Sequence, residues 1–189
     1  MLERNLVEVL LRNNLLYFIM RTFDTHHGGE SFYQNWHIEL LADRLQQAFD
    51  RKIKRLIINV PPRSLKSICA SVAFPAWALG RDPTLRIVCA SYSQDLSGKL
   101  ARDCRTLMDT AWYQRTFAHT RLNPDKRAEG EFETTKGGSR LSTSVGGTLT
   151  GRGGYIILIK DPLQPPEGLF GPEPPPAQVG VGPARLFPP

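Results

Sequence analysis

The chain has 189 residues, of which 41% are hydrophobic and 22% charged, with a formal net charge of +6. Those values fit a folded globular protein and exclude a wholly disordered one. No apolar run approaches the roughly 18–20 residues that span a bilayer, and Glu3 and Arg4 give the N-terminus no secretory shape.

Three cysteines, Cys69, Cys89 and Cys104, are odd in number and form no CxxC pair. Reduced thiols are expected, not a disulfide framework or a zinc ribbon. The excess charge invites a polyanion partner. It belongs to the body: residues 1–164 carry 23 basic and 16 acidic groups, whereas 165–189 hold only Glu167, Glu173 and Arg185.

Residues 3–23 read as helical, with Leu6, Leu10, Leu15 and Phe18 near helical spacing. A polar loop, 25–31, follows. Asn35 can cap a helix whose predicted apolar face is Trp36, Leu40, Leu41, Leu45, Ala48 and Phe49. Arg51, Lys52, Lys54 and Arg55 form a basic cluster, which is a solvated surface or a nucleic-acid contact.

The run 56–60 reads as a buried strand bounded by Pro61 and Pro62. A helix is expected from Lys66 to Leu79, ended by Gly80 and Pro83. Residues 86–92 read as a second strand. Ser93 can cap a helix with Leu96, Leu100, Cys104, Leu107, Met108 and Trp112 on one face. Residues 131–135 and 139–145 predict a hairpin around Lys136-Gly137-Gly138. A Gly-rich loop carries Arg152, and 155–159 is a third apolar strand. Helices alternating with apolar strands predict an α/β fold, its sheet mostly parallel and covered on both faces. Residues 165–189 hold nine prolines and four glycines and predict a disordered, Pro/Gly-rich tail. That tail is either a native linker or the product of a shifted reading frame.

The junction VPPRSLKS, 60–67, carries the chemistry. A strand runs into a tight turn, then Lys-Ser, then a helix. Such a turn can cradle phosphates on backbone amides at a helix start, with Lys66 on the outer phosphates and Ser67 on Mg²⁺. Against G-x-x-x-x-G-K-[ST], Val60 and Leu65 stand where the glycines belong. The bland alternative is a lysine in the first turn of an ordinary helix. The third strand ends in Lys160-Asp161, where an ATPase of this kind wants two acids. Asp161 could equally be a polar strand end before Pro162.

The runs YQNWHIELLAD (33–43), RLIINVPPRSLKS (55–67), SVAFPAWALGRDP (71–83), RIVCASYSQDL (86–96) and LSTSVGGTLTGRGG (141–154), followed by an apolar strand and DPL, carry a family resemblance. Over residues 1–164 the chain resembles the ATPase domain of the large subunit of tailed-bacteriophage terminase, the DNA-packaging motor. The resemblance implies a P-loop NTPase fold of the ASCE type, incomplete here, with a hairpin insertion. It implies ATP and Mg²⁺ as cofactors. Arg63, Ser64, Lys66, Ser67 and Gln34 would bind nucleotide, Arg63 sensing the γ-phosphate and Gln34 lying where adenine is read. Asp161 would be the catalytic base, with Ser67 and Asp161 on the metal side. Arg152 would serve a neighbouring subunit. The implied partners are double-stranded DNA, the terminase small subunit, the portal and other terminase subunits. No membrane is implied, and the place is the cytoplasm of a bacterial host carrying a prophage.

Three departures qualify that picture. Leu65 replaces the loop glycine, Lys160 replaces the metal-linked Asp, and the resemblance stops after residue 164. The later coupling motif and the nuclease domain are missing, so no DNA cleavage is expected. The expected function is that of a truncated, weakly active or inactive prophage remnant of the packaging ATPase. The alternatives are a basic module that binds nucleotide or DNA without hydrolysis, and an interaction protein that joins an intact terminase ring.

Overall fold

The computed structural model describes residues 2–144 and 153–161. Arg152, the rest of the Gly-rich loop before it, and the Pro/Gly-rich tail lie outside the described residues. The fold is α/β, with a five-stranded mixed sheet in the order β2-β3-β4-β1-β5. Here β1 is Arg86–Ser91, β2 Leu122–Arg127, β3 Glu131–Thr134, β4 Ser139–Ser144 and β5 Ile156–Lys160. Strand β1 lies between β4 and β5 and pairs in parallel with both; β3 pairs antiparallel with both β2 and β4.

The helical stretch expected over 3–23 is two helices, α1 (Leu2–Asn13) and α2 (Leu15–His26). Asn14 makes the break. Its backbone is extended, and its side chain accepts from the amides of Leu16 and Tyr17. An N-capping asparagine thus outcompetes helix continuation. Leu15 and Phe18 are fully buried while Leu6 and Leu10 stay exposed.

Asn35 occupies the position before α3 (Trp36–Phe49) but makes no side-chain cap bond. The buried face of α3 is Ile38, Leu41, Ala42 and Leu45; Trp36 and Leu40 are exposed. The predicted apolar face is therefore displaced by part of a turn.

The helix that begins at Lys66 contains a π-helical stretch, Ile68–Ala73, and continues as α4 (Phe74–Arg81). Pro75 has no N–H, so the Ser71 carbonyl loses its α-helical donor. Arg140, a fully buried residue on β4, donates its Nη2 to that carbonyl at 3.2 Å and its Nη1 to Ser142 Oγ at 2.5 Å. The irregular helix is thereby tied to the sheet.

Ser93 caps α5 (Gln94–Asp109) as expected, and Leu100, Cys104, Leu107 and Met108 are buried. Trp112 belongs to a separate helix, α6 (Ala111–Thr116), because Thr110 caps a new start. The hairpin forms where expected, between β3 and β4. Gly137 takes φ +86°, and a Cβ on Gly138 would sit 2.4 Å from the Pro83 carbonyl oxygen. Both positions therefore require glycine.

Two expectations about the sheet fail. The run Leu56–Val60 joins no strand of it. Its odd and even positions still alternate, with Leu56 and Ile58 packed on the core and Ile57 93% exposed. Nor, among the described residues, do helices cover both faces of the sheet. Helix α5 and the π-helical stretch pack on the face carrying Ile87, Cys89, Ile156 and Leu158. On the opposite face of β5, Ile157 is 62% and Ile159 63% exposed.

Trp77 is the largest side chain in the core. It is 1% exposed, donates Nε1–H to the Leu11 carbonyl at 3.1 Å and stands edge-on to Phe49. Trp77→Ala is expected to lower unfolding free energy by about 3–5 kcal/mol, read as a reduced midpoint in urea. An unchanged midpoint would place Trp77 outside the cooperative core. The three cysteines are buried and free. Burial pushes the thiols of Cys69 and Cys104 up to about 12 and raises that of Cys89, so all three stay protonated and inert.

Candidate phosphate-binding site

The segment after Leu56–Val60 cannot enter a helix directly, because Pro61 and Pro62 exclude helical geometry in the residues before them. It turns instead. Ser64 Oγ donates to the Pro61 carbonyl at 2.7 Å, and the first helical bond runs from the Cys69 amide to the Leu65 carbonyl. Arg63 and Leu65 reach φ +64° and +56°, the left-handed region that side chains disfavour. The amides of Lys66, Ser67 and Ile68 open the helix and have no intrahelical acceptor.

This turn lines an open pocket of about 710 Å³ together with Ile68, Tyr92 and Asp161. Its size falls within the roughly 300–1,000 Å³ typical of small-molecule sites. The sheet brings the distant residues together. Strands β1 and β5 are parallel neighbours with Ser91 opposite Lys160, so Tyr92 and Asp161 leave the sheet at the same edge. Tyr92, exposed at the end of β1, is a pocket residue that sequence reasoning missed. The signal was its place one residue beyond an apolar strand, which gains meaning only from the pairing of β1 with β5.

Lys66 Nζ donates to Asp161 Oδ1 at 2.9 Å, across 95 residues of sequence. Lys160 Nζ lies 3.7 Å from Asp161 Oδ2. One carboxylate is thus bracketed by two ammonium groups. The hydrogen bond from Lys66 holds the Asp161 carboxyl below its usual range; partial burial opposes this, and the charges of both lysines reinforce it. Burial pushes the Lys160 ammonium down, against the attraction of Asp161. A carboxylate so stabilised is ionised at neutral pH but is a weak proton acceptor, which disfavours it as a general base. Asp161 itself has φ +43°, so the strand end is strained where it meets Lys66.

Of the residues expected at a nucleotide site, Arg63, Ser64, Lys66, Ser67 and Asp161 line one pocket. Gln34 does not line it; its side chain donates to Glu39 on the exposed start of α3. Arg152 lies outside the described residues. A hard cation such as Mg²⁺ needs several oxygen ligands. Among its described side chains the pocket offers the hydroxyls of Ser64, Ser67 and Tyr92 and one carboxylate, with an ammonium group against each carboxylate oxygen. Among the described residues no group of three or more His, Cys, Asp or Glu side chains could hold a metal. The described residues of this pocket are therefore a poor fit for Mg²⁺. Among those residues, too, no helix is long and apolar enough to cross a membrane. The chain matches no protein-family model and no curated protein, so what this loop can bind follows from its own residues.

Proposed function

We propose that the chain is a nucleoside-triphosphate-binding domain of the packaging-motor type, with a P-loop NTPase fold resembling that of the terminase large subunit. The observation that carries the reading is convergence. A left-handed, proline-led turn, the lysine that opens the following helix and the acid that follows a parallel strand line one pocket, with Lys66 Nζ 2.9 Å from Asp161 Oδ1. Open α/β sheets take ligands beyond the carboxyl ends of their strands, which is where this pocket lies.

Each residue then has a task. Lys66 exchanges Asp161 for the outer phosphate oxygens. The free amides of Lys66, Ser67 and Ile68 receive the inner ones. Arg63, exposed on the turn, adds a second cation beside the γ-phosphate. Tyr92 walls the pocket opposite the loop. Asp161 keeps Lys160 beside one oxygen when Lys66 turns to the phosphate, so it faces the ligand still paired with an ammonium and without a metal to orient water. Binding with little or no turnover is therefore the favoured form of this function. Double-stranded DNA, the small subunit, the portal and other terminase subunits are the proposed partners, in a bacterial cytoplasm.

The test is calorimetric titration of the full chain with ATP, coupled to a phosphate-release assay with and without double-stranded DNA. Saturable binding at one site, with release near background, is expected. No saturable ATP binding would overturn the proposal; rapid DNA-stimulated release would overturn the claim of little turnover.

A further inference from the structure

We propose that this pocket takes its polyphosphate as a metal-free anion, with Lys160 filling the charge position that a divalent cation would otherwise hold. The inference rests on reading 61–67 as a phosphate site.

The geometry is one of charge balance. Among the described residues Asp161 is the single acid lining the pocket, and its two oxygens face Lys66 at 2.9 Å and Lys160, just behind the pocket wall, at 3.7 Å. Arg63 lines the same pocket from the turn, so cations outnumber the one carboxylate there. The side chain of Lys160 is only 14% exposed, so its ammonium is confined near the strand end and does not range through solvent. A divalent cation at Asp161 would have to displace an ammonium group or sit a few ångströms from one. Repulsion at that distance costs on the order of tenfold or more in affinity.

A phosphate meets the opposite situation. It takes Lys66 from Asp161, while Lys160 stays behind and keeps the carboxylate neutralised. No new charge is buried without a partner. Lys160 therefore supplies the compensation that a metal would bring, through an ammonium that is a compact point charge on a flexible stem. The substrate class follows: a nucleoside triphosphate or another polyphosphate, bound with no requirement for magnesium.

The experiment titrates the full chain with ATP, and separately with inorganic triphosphate, in EDTA and in excess Mg²⁺. In the unmodified chain the two dissociation constants should agree within about threefold for each ligand, because the site gains nothing from the metal. Lys160→Asp should weaken binding in EDTA by about tenfold or more and make it depend on Mg²⁺ by a similar factor. Lys160→Met, which keeps the stem and removes the charge, should also weaken binding in EDTA; circular dichroism checks that both variants are folded. A Mg²⁺ preference above about tenfold in the unmodified chain would overturn the inference and leave the phosphate site standing. So would a folded Lys160→Met that binds in EDTA like the parent. Absence of binding in both solutions would overturn the site and the inference together.

Discussion

Lys66→Ala should reduce ATP binding by about 10–100-fold, because one charge-assisted hydrogen bond to a phosphate is worth about 1.5–3 kcal/mol. In the parent, Lys66 must leave Asp161 to reach the ligand, which offsets part of the gain and keeps the loss within that range. The fold should barely notice. Lys66 and Asp161 are 28% and 41% exposed as side chains, and partly exposed ion pairs contribute only about 0–1 kcal/mol. Asp161→Asn supplies the opposite case. It removes the competitor for Lys66, so ATP should bind more tightly than to the parent, with thermal unfolding nearly unchanged. Equal ATP affinity for the parent and for Lys66→Ala would reduce Lys66 to an ordinary first-turn lysine. Titration and melting on the same samples separate loss of the site from loss of the fold.

Much of this arrangement is legible in the sequence where local signals agree with long-range packing. The hairpin of β3 and β4 announces itself through Lys136-Gly137-Gly138, and α5 through Ser93 and its spaced apolar residues. Strands β1 and β5 show as apolar runs. Where the reading fails, a competing physical term is visible. Asn14 offers its side chain to two amides and ends a helix that apolar spacing alone would continue. Strand β2, LNPDKR, has neither apolar alternation nor freedom from proline. It is an edge strand with an irregular register, where an unbonded proline costs little. Leu56–Val60 has the composition of a core strand, but composition cannot supply a neighbour, and among the described residues this run joins no sheet. In the site, Lys66 and Asp161 are legible as residue types. Their meeting is not, because it depends on which strand lies beside which. The same pairing hides Tyr92. Strain is also illegible: nothing in RSLKS announces that Arg63 and Leu65 are left-handed until the turn is built.

Leu65→Gly is expected to tighten ATP binding by about tenfold, the equivalent of one further backbone amide reaching a charged oxygen at about 1.5 kcal/mol. Leu65 stands at φ +56° immediately before Lys66, where a side chain costs roughly 1–2 kcal/mol and glycine costs nothing. Its Cβ also stands on a loop that must let backbone approach phosphate closely. Removing the side chain therefore relieves strain and opens the approach at once. The effect on stability is a near cancellation. Leu65 is partly buried against the core, so its loss forfeits packing, and glycine adds unfolded-state entropy worth roughly 0.5–1 kcal/mol. Relief of strain offsets these, and the unfolding free energy should move by less than about 1 kcal/mol. Affinity and stability then respond separately, which is the signature of a residue that obstructs a site. Arg63→Gly sharpens the argument, because Arg63 has the same backbone strain at φ +64°. If strain alone limited binding, both substitutions would tighten it. If the phosphate needs the Arg63 cation, Leu65→Gly should tighten binding and Arg63→Gly should weaken it. Opposite signs in the two titrations are the expected result; an unchanged affinity for Leu65→Gly would show that the Leu65 side chain points away from the ligand's path.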